Sequence, residues 1–200
     1  MNSSYDKQER FLSLFQPVQP NLERFAIALT GDGERGKDLA AETVLIAYER
    51  FGTLRSPDAF LSFLFTIATR VHRRQVALEK RRGKMEEGDL EKVFDPGLPP
   101  DIAADIGAVH RALGKLPEKQ REAVVLFEIM GVPMKEIREI QGGTLTAVKV
   151  RISRGRKALA KLLGVSDSER LQETRMNRRE ARPDDSGIDG REICSIGVEP

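Results

Sequence analysis

Residues 142–162 read GGTLTAVKVRISRGRKALAKL, and this stretch predicts a tight turn followed by a long helix. Two successive glycines supply the backbone freedom that a short turn needs, and Thr144 is a favourable residue at the start of a helix. Apolar residues then recur at intervals of three, four and seven, which gives the helix one buried face. They are Leu145, Val148, Ile152, Leu159 and Leu162. A short helix with Met134, Ile137 and Ile140 precedes the turn, so the segment has the helix-turn-helix pattern.

The predicted long helix carries the main electrostatic signal of the sequence. Between positions 149 and 161 it has six Lys and Arg residues and no acid, whereas a surface helix usually mixes both signs. Seven residues lie away from the buried stripe, at the helix cap, on one flank or on the opposite face. They are Thr144, Thr146, Lys149, Val150, Ser153, Arg154 and Lys157. In a DNA major groove, Val150 can contact a thymine methyl group, and Lys149 or Arg154 can reach guanine or phosphate. We therefore predict a DNA contact here; the alternative is a solvated basic helix with one exposed valine.

The rest of the chain predicts an all-α fold of two small helical domains. Residues 5–82 are rich in helix formers and residues 102–164 return to helical spacing, and neither segment shows the alternation of a strand. Between them, residues 83–101 hold six acids against two bases, with three glycines and three prolines, which predicts an acidic flexible linker. Residues 165–200 are polar and have few bulky apolar side chains, so we predict a mostly disordered tail.

The last helix predicted for the first domain ends in a second basic cluster. Ser56 followed by Pro57 favours a helix start, and an apolar stripe comes next. Seven bases against one acid then give a net charge of +6: Arg70, Arg73, Arg74, Lys80, Arg81, Arg82 and Lys84. This cluster predicts phosphate contact; the alternative is a solvated helix terminus. Phe65 lies off the stripe, either in a neighbouring helix interface or near unstacked bases, and His72 is predicted to be half-exposed at the surface.

Composition and motifs exclude several classes of protein. The chain has 200 residues, 40% of them hydrophobic, and a formal net charge of +2, which is typical of a globular protein. Its longest apolar run, residues 123–127, is too short to span a bilayer, and its polar N-terminus has no signal region, so we predict a cytoplasmic protein. One cysteine, Cys194, excludes an internal disulfide and argues against a zinc site. Since no catalytic motif is found, we predict no enzyme activity, metal, cofactor or small-molecule substrate.

Four stretches have the form of family motifs. They are DLAAE at residues 38–42, the aromatic and basic residues 60–82, LPEKQRE at 116–122 and AVKVRISRGRK at 147–157. With these stretches the chain resembles the extracytoplasmic-function group of bacterial RNA polymerase sigma factors. The first two resemble the D-L-x-x-E signature and the end of region 2, and the last two resemble the opening and the final helix of region 4. The resemblance covers residues 10–164 apart from the linker.

The resemblance implies a specificity subunit that directs the RNA polymerase core to promoter DNA. Region 2 is expected to dock on the polymerase clamp through Asp38, Ala41, Glu42 and Glu49. It is also expected to read the −10 element through Ser56, Phe65, Arg70, Arg73 and Arg74. Region 4 is expected to read the −35 element through the seven outward residues of the long helix given above. A chain without a sensor domain is further expected to have an anti-sigma factor as a partner.

Two other functions fit parts of the pattern. A sigma-like protein-interaction module that sequesters an anti-sigma factor would keep the apolar docking faces but lose the basic ones, and both basic clusters are present here. A stand-alone helix-turn-helix regulator would usually form a dimer on a palindromic site. That interpretation leaves the DLAAE stretch unexplained, so the sigma-factor interpretation accounts for more of the sequence.

Overall fold

Eight α-helices form the part of the chain that the computed structural model describes, residues 3–82 and 99–165. They are α1 (Ser3–Phe15), α2 (Gln19–Thr30), α3 (Gly33–Glu49), α4 (Phe60–Arg82), α5 (Pro100–Gly114), α6 (Glu118–Val124), α7 (Met134–Gln141) and α8 (Leu145–Leu163). No strand occurs in these two segments, and the all-α prediction is confirmed. The linker prediction at residues 83–98 and the tail prediction at 166–200 lie outside the described residues.

The helix ends follow from local residue chemistry. Prolines 17 and 20 interrupt the first apolar stripe, so a short 3₁₀ turn, Gln16–Val18, separates α1 from α2. The side chain of Asp32 caps α3 by accepting a hydrogen bond from the Arg35 N–H at 2.8 Å. Thr144 caps α8 in the same way, with the Ala147 N–H at 3.1 Å, as the sequence predicts. The two glycines of the turn before α8 have φ angles of 76° and 93°, a region that favours glycine.

The first four helices form an N-terminal bundle. Phe25 packs against Phe65 with ring centroids 4.4 Å apart, and both side chains are fully buried between α2 and α4. Helices α2 and α3 approach closely because residue 36 is glycine: a Cβ atom there would lie 2.8 Å from the Cα of Ile27. Helices α3 and α4 also pack side by side. They hold the residues predicted to bind polymerase and, apart from Ser56, those predicted to bind the −10 element.

Helices α5–α8 form a C-terminal bundle that presents the helix-turn-helix. Helix α6 continues into a π-helical turn, Val125–Ile129, where the sequence predicts an ordinary helix up to about Met130. Gly155 allows α8 to lie directly on α6, since a Cβ atom at this position would be 2.5 Å from the Cγ2 atom of Val124. The buried face of α8 is therefore held against α6 while its opposite face is left to solvent.

The two bundles pack against each other. Helix α7 lies against α4, and α2 lies against both α5 and the π-helical turn. Consequently the described residues up to Gly164 belong to one compact unit with a continuous core, where the sequence predicts two small helical domains. The linker prediction ends at residue 101, but Pro100 and Asp101 already belong to α5, because proline is well tolerated in the first turn of a helix.

Candidate nucleic-acid interface and docking groove

The outward face of α8 is the surface that the sequence predicts. All seven residues of the predicted −35 set are exposed, and the side chain of Val150 is 40% exposed although it is apolar. Val148 and Ile152, on the opposite side, are 0% and 2% exposed. An apolar residue among exposed cations and hydroxyl groups is a suitable surface for the major groove, where base edges carry both methyl and polar groups.

A hydrogen-bond network holds the start of α8. The Gln141 Nε2 donates to the Glu122 Oε2 at 2.9 Å and to the Lys119 carbonyl at 3.1 Å. Its Oε1 accepts from the Arg151 Nη1 at 3.1 Å, and this guanidinium also donates to the Gly142 carbonyl at 3.3 Å. Arg151 is thus a cation of the basic helix that ties α8 to the turn rather than facing outward. Sequence reasoning missed this role because Gln141 carried no motif.

Glu122 is the most deeply buried charged side chain of the described residues, with 0% exposure. The Arg73 Nε donates to its Oε1 at 2.8 Å, and an Arg73 terminal nitrogen donates to its Oε2, so the pair is bidentate. This hydrogen bonding to the carboxylate raises the pKa of Arg73 above its usual range, against the opposing effect of burial. Glu122 lies in the C-terminal bundle and Arg73 in the N-terminal bundle, so the ion pair bridges the two.

The predicted −10 residues are found in three different environments. Ser56 and Arg70 are exposed. Arg73 and Arg74 form ion pairs with Glu122 and Glu42 respectively. Phe65 is fully buried against Phe25, so the structure places it in a helix interface and leaves no ring face for a base. Of the two roles that the sequence allows for Phe65, packing is the one observed.

The surface position predicted for His72 is wrong, because only 4% of the residue is exposed. Burial, together with repulsion of the protonated ring by the cations Arg121, Arg35 and Arg73, lowers the pKa of His72 to about 4. Its Nε2 has no hydrogen-bond partner among the described residues. The imidazole is therefore neutral at physiological pH and serves as a core side chain of the interface between the bundles.

This burial predicts a pH dependence of stability. Because the folded-state pKa of His72 is lower than the unfolded value, its stabilising effect is complete above pH 6.5 and is lost as the pH falls towards 4. We expect the loss to reach about 3 kcal/mol at pH 4. Urea denaturation of the wild-type chain and of the His72→Gln variant between pH 7 and 4.5 measures this loss of unfolding free energy. Equal slopes of unfolding free energy against pH in the two proteins would contradict the burial of His72.

The predicted polymerase-binding residues lie along α3 beside an apolar groove. Asp38, Ala41 and Glu49 are exposed, whereas Glu42 is half-buried and accepts hydrogen bonds from Arg74 and, at 2.9 Å, from Gln75. The groove has a volume of about 400 Å³ and runs between α3 and the junction of α1 with α2. Its apolar lining consists of Phe15, Leu22, Ala40, Ala41, Val44 and Leu45.

Leu45 is the residue of this groove that sequence reasoning missed. It is 67% exposed, more than any other leucine in the part of the chain that the structure describes. The available signal was its position: it lies between the buried residues Thr43 and Ala47, on the side of α3 that turns away from the core. An exposed leucine at the rim of an apolar groove is typical of a protein-docking surface.

Comparisons with known proteins identify the family. The family model described as Sigma-70 region 2 matches residues 14–82, and the model described as Sigma-70, region 4 matches residues 106–159. ECF RNA polymerase sigma factor EcfG of Rhodopseudomonas palustris (strain TIE-1) is 29% identical over 150 residues, 75% of this chain and 83% of that protein. ECF RNA polymerase sigma factor SigE of Mycolicibacterium smegmatis is 33% identical over 158 residues, 74% of this chain and 60% of that protein. The chain belongs to the extracytoplasmic-function subfamily of sigma-70 factors.

A solved structure has the same arrangement of helices as this sigma factor. It is the sigma factor RpoE of Bartonella quintana in complex with the anti-sigma factor NepR, with 26% sequence identity and a TM-score of 0.70. The match covers 79% of this chain and 99% of that chain. The sigma factor described here accordingly acts in transcription initiation: it binds the RNA polymerase core and directs it to promoter DNA.

The family models place region 2 on the N-terminal bundle and region 4 on the C-terminal bundle. Within the described segments of this sigma factor, no cluster of His, Cys, Asp and Glu could hold a metal ion. None of the helices in those segments has the length and apolar character needed to cross a membrane. Among the described residues, the candidate functional surfaces are the exposed face of α8, the basic end of α4 and the groove beside α3.

Proposed function

We propose that this sigma factor reads the −35 element with the exposed face of α8. The observation that carries the proposal is the division of α8 into an apolar face, buried at Val148 and Ile152, and an exposed face of cations, hydroxyl groups and one valine. Region 4 inserts this face into the major groove, where Val150 meets a thymine methyl group and Lys149 and Arg154 contact guanine or phosphate. Thr144, Thr146, Ser153 and Lys157 supply the remaining contacts at the edges of the groove.

Region 2 of the proposed assembly reads the −10 element from the loop before α4 and from the basic end of α4. Ser56 and Arg70 are exposed and ready for contact. Arg73 and Arg74 join them once they leave their carboxylate partners, since an arginine can exchange a carboxylate for a phosphate with the same bidentate geometry. Phe65 is not part of the −10 surface, because its ring lies in the core.

The groove beside α3 is the proposed docking surface for the polymerase clamp. Ala41 lines the groove, and Asp38 and Glu49 are exposed charges on the same helix. Apolar side chains of the clamp fill the groove while its cations face the carboxylates, which combines an apolar core with a charged rim. Glu42 plays a different part from the one predicted for it, because it is engaged by Arg74 and Gln75 of α4 and fixes α3 against α4.

A single substitution tests the docking surface. Leu45→Asp is expected to weaken core polymerase binding at least tenfold, because a carboxylate replaces an apolar contact and must be desolvated in the groove. The fold is expected to remain intact, since Leu45 is largely exposed. Leu78→Asp is the matched control, an exposed leucine on α4 outside the groove. Equal core binding by both variants in a pull-down or interferometry assay would place the docking surface elsewhere.

Transcription in vitro tests the proposed function as a whole. The purified chain is mixed with core polymerase and a library of promoter fragments, and the transcribed fragments are sequenced. We expect enrichment of a pair of motifs near positions −35 and −10, and loss of only the −35 motif when the face of α8 is changed. Enrichment of the same fragments without the chain, or no enrichment at all, would contradict the proposal.

Three further properties belong to the proposal. The sigma factor acts as a binding subunit and does not itself catalyse a reaction, and it works in the cytoplasm where polymerase and chromosome meet. An anti-sigma factor regulates it, as the similarity to the Bartonella quintana RpoE–NepR complex supports. Co-purification from cells before and after stress tests the last point: a chain that is always free or always bound to polymerase has no such partner.

A further inference from the structure

A cluster of aromatic side chains lies where α1 meets the segment between α3 and α4. Phe11 of α1 is at its centre and is only 3% exposed. Its ring meets the rings of Tyr48, Phe51 and Phe60 nearly at right angles, with ring centroids 5.3, 5.4 and 5.5 Å apart respectively. Edge-to-face contacts of this kind favour defined ring orientations. One side chain of α1 therefore contacts the end of α3, the residue that follows it and the start of α4.

The α3–α4 loop, residues 52–59, begins next to Phe51 and ends next to Phe60. These two rings also contact each other, with centroids 6.2 Å apart. Because both rings lie against Phe11, the two ends of the loop meet on a single side chain of α1. The first four helices are thus connected here by aromatic packing and not only by the chain itself.

The α3–α4 loop is exposed between these two ends. Six of its eight residues, Ser56 among them, are exposed. The Leu54 N–H donates to the Phe51 carbonyl at 3.1 Å, and the Ala59 N–H donates to the Ser56 carbonyl at 3.2 Å, so both hydrogen bonds are local. An exposed loop with local hydrogen bonds samples several shapes unless its ends are fixed. The aromatic contacts supply that restriction.

Lys7 adds a second contact from the same face of α1. It lies one turn before Phe11, and its ammonium group is 4.5 Å from the centre of the Tyr48 ring, a cation–π contact. One turn after Phe11, the Phe15 ring stacks on the Phe11 ring with centroids 5.8 Å apart. The family model for region 2 begins at residue 14, so Lys7 and Phe11 lie outside the segment that it matches.

We propose that Phe11 is a positioning residue for −10 recognition: through this ring, α1 holds both ends of the α3–α4 loop and sets the shape in which the loop meets the −10 strand. The proposal rests on the proposed role of this loop in reading the −10 element. Phe11 is buried, so it acts on DNA only through the loop. A loop that adopts the binding shape in only a fraction of molecules binds more weakly by that fraction.

The mobility of the loop in the free protein is the first measurement. Arg55→Cys is combined with Cys194→Ser and labelled with a nitroxide, which is followed by electron paramagnetic resonance. We expect Phe11→Leu to shorten the rotational correlation time of the label at least twofold, because leucine cannot make the edge-to-face contacts. Phe25→Leu is the matched control, since Phe25 is also buried but packs against Phe65. Equal mobility in the two variants would overturn the proposal.

Promoter opening is the second measurement, made with the unlabelled chain and saturating core polymerase. The templates are a promoter selected in vitro and versions of it with single base changes in the −10 element, each with a 2-aminopurine reporter of melting. We expect Phe11→Leu to slow opening of the selected promoter about tenfold and to reduce its preference over the changed promoters. Protection of the −35 element is expected to persist. A general loss of stability would instead weaken both elements, and would do so in Phe25→Leu as well.

Lys7 gives a test that leaves the buried core unchanged. Lys7→Met removes the charge from the Tyr48 ring, and we expect it to increase label mobility in the same direction as Phe11→Leu, by a smaller factor. Lys7→Arg keeps a cation at the ring and is expected to match the wild-type chain. Wild-type mobility of the loop in both Lys7→Met and Phe11→Leu would show that α1 does not hold the loop, and would overturn the proposal.

The two measurements separate the positioning role from the proposed function. Greater label mobility together with a reduced −10 preference supports the proposal. Greater mobility with an unchanged −10 preference would overturn the assignment of the loop to the −10 element, and the positioning role in recognition with it. Unchanged mobility with a reduced −10 preference would overturn the positioning role alone.

Discussion

Replacing Lys149 and Arg154 together by alanine is expected to reduce −35-dependent transcription by about 100-fold or more. Each side chain projects from the exposed face of α8, and loss of one contact to a base or phosphate costs about 1–3 kcal/mol. The fold is expected to persist, because neither residue contributes to the buried face. Run-off transcription with saturating core polymerase, on a promoter selected from the library, measures the effect.

The control for this double variant removes the same two side-chain types from another exposed site. Arg111 and Lys115 lie at the end of α5 and are exposed. Their combined replacement by alanine is expected to change transcription less than threefold, since general charge effects are screened at physiological salt. If footprinting shows the same protection at −35 for the wild-type chain and the Lys149→Ala, Arg154→Ala variant, α8 is not the reading helix.

Glu122→Ala is expected to lower the free energy of unfolding by about 3–5 kcal/mol. Removal of one partner of a buried ion pair leaves the other charge without compensation, and this costs more than the pair contributes. Here the carboxylate accepts from both Arg73 and Gln141, so two donors lose their acceptor at once. Guanidinium denaturation followed by circular dichroism measures the change.

Glu128→Ala provides the comparison, because Glu128 forms an ion pair with Arg156 at the surface of the C-terminal bundle. Surface pairs contribute at most about 1 kcal/mol, and that is the largest loss expected for this variant. A similar small loss for Glu122→Ala would mean that solvent reaches Glu122 in solution. Such a result would also argue against the closed packing of the two bundles.

The sequence predicts α8 well because every signal for it is local. Two glycines, a threonine cap and an apolar repeat lie within one stretch of chain, and each has a direct physical meaning without knowledge of the rest of the fold. The division of α8 into buried and exposed faces follows from helical spacing, except at Leu162, which was predicted to be buried and is 44% exposed. The motif of region 2 at residues 38–42 is local in the same sense.

The errors concern residues whose environment is set by distant parts of the chain. Phe65 and His72 lie off the main apolar stripe of α4, so helical spacing from that stripe leaves Phe65 open between helix packing and base contact and predicts a half-exposed His72. They are seven residues apart, with Thr69 between them, and all three are buried: Phe65 packs against Phe25 of α2, and His72 lies near Arg121 of region 4. The role of Glu122 could not be predicted either, because nothing in the sequence shows that it would pair with Arg73, which is 49 positions away.

The pairing of Arg73 and Arg74 with carboxylates has a consequence for how the factor moves through the cell. A chromosome offers about 10⁶–10⁹ non-specific sites, and each cation that a protein can place on a phosphate increases its retention there. Because these two arginines form ion pairs with Glu122 and Glu42, fewer cations of the chain are available to bind the phosphates of non-specific DNA. Under the proposed function, we therefore expect the genome to compete less effectively with polymerase for this sigma factor, and we expect the two arginines to reach phosphate at a promoter that polymerase already holds.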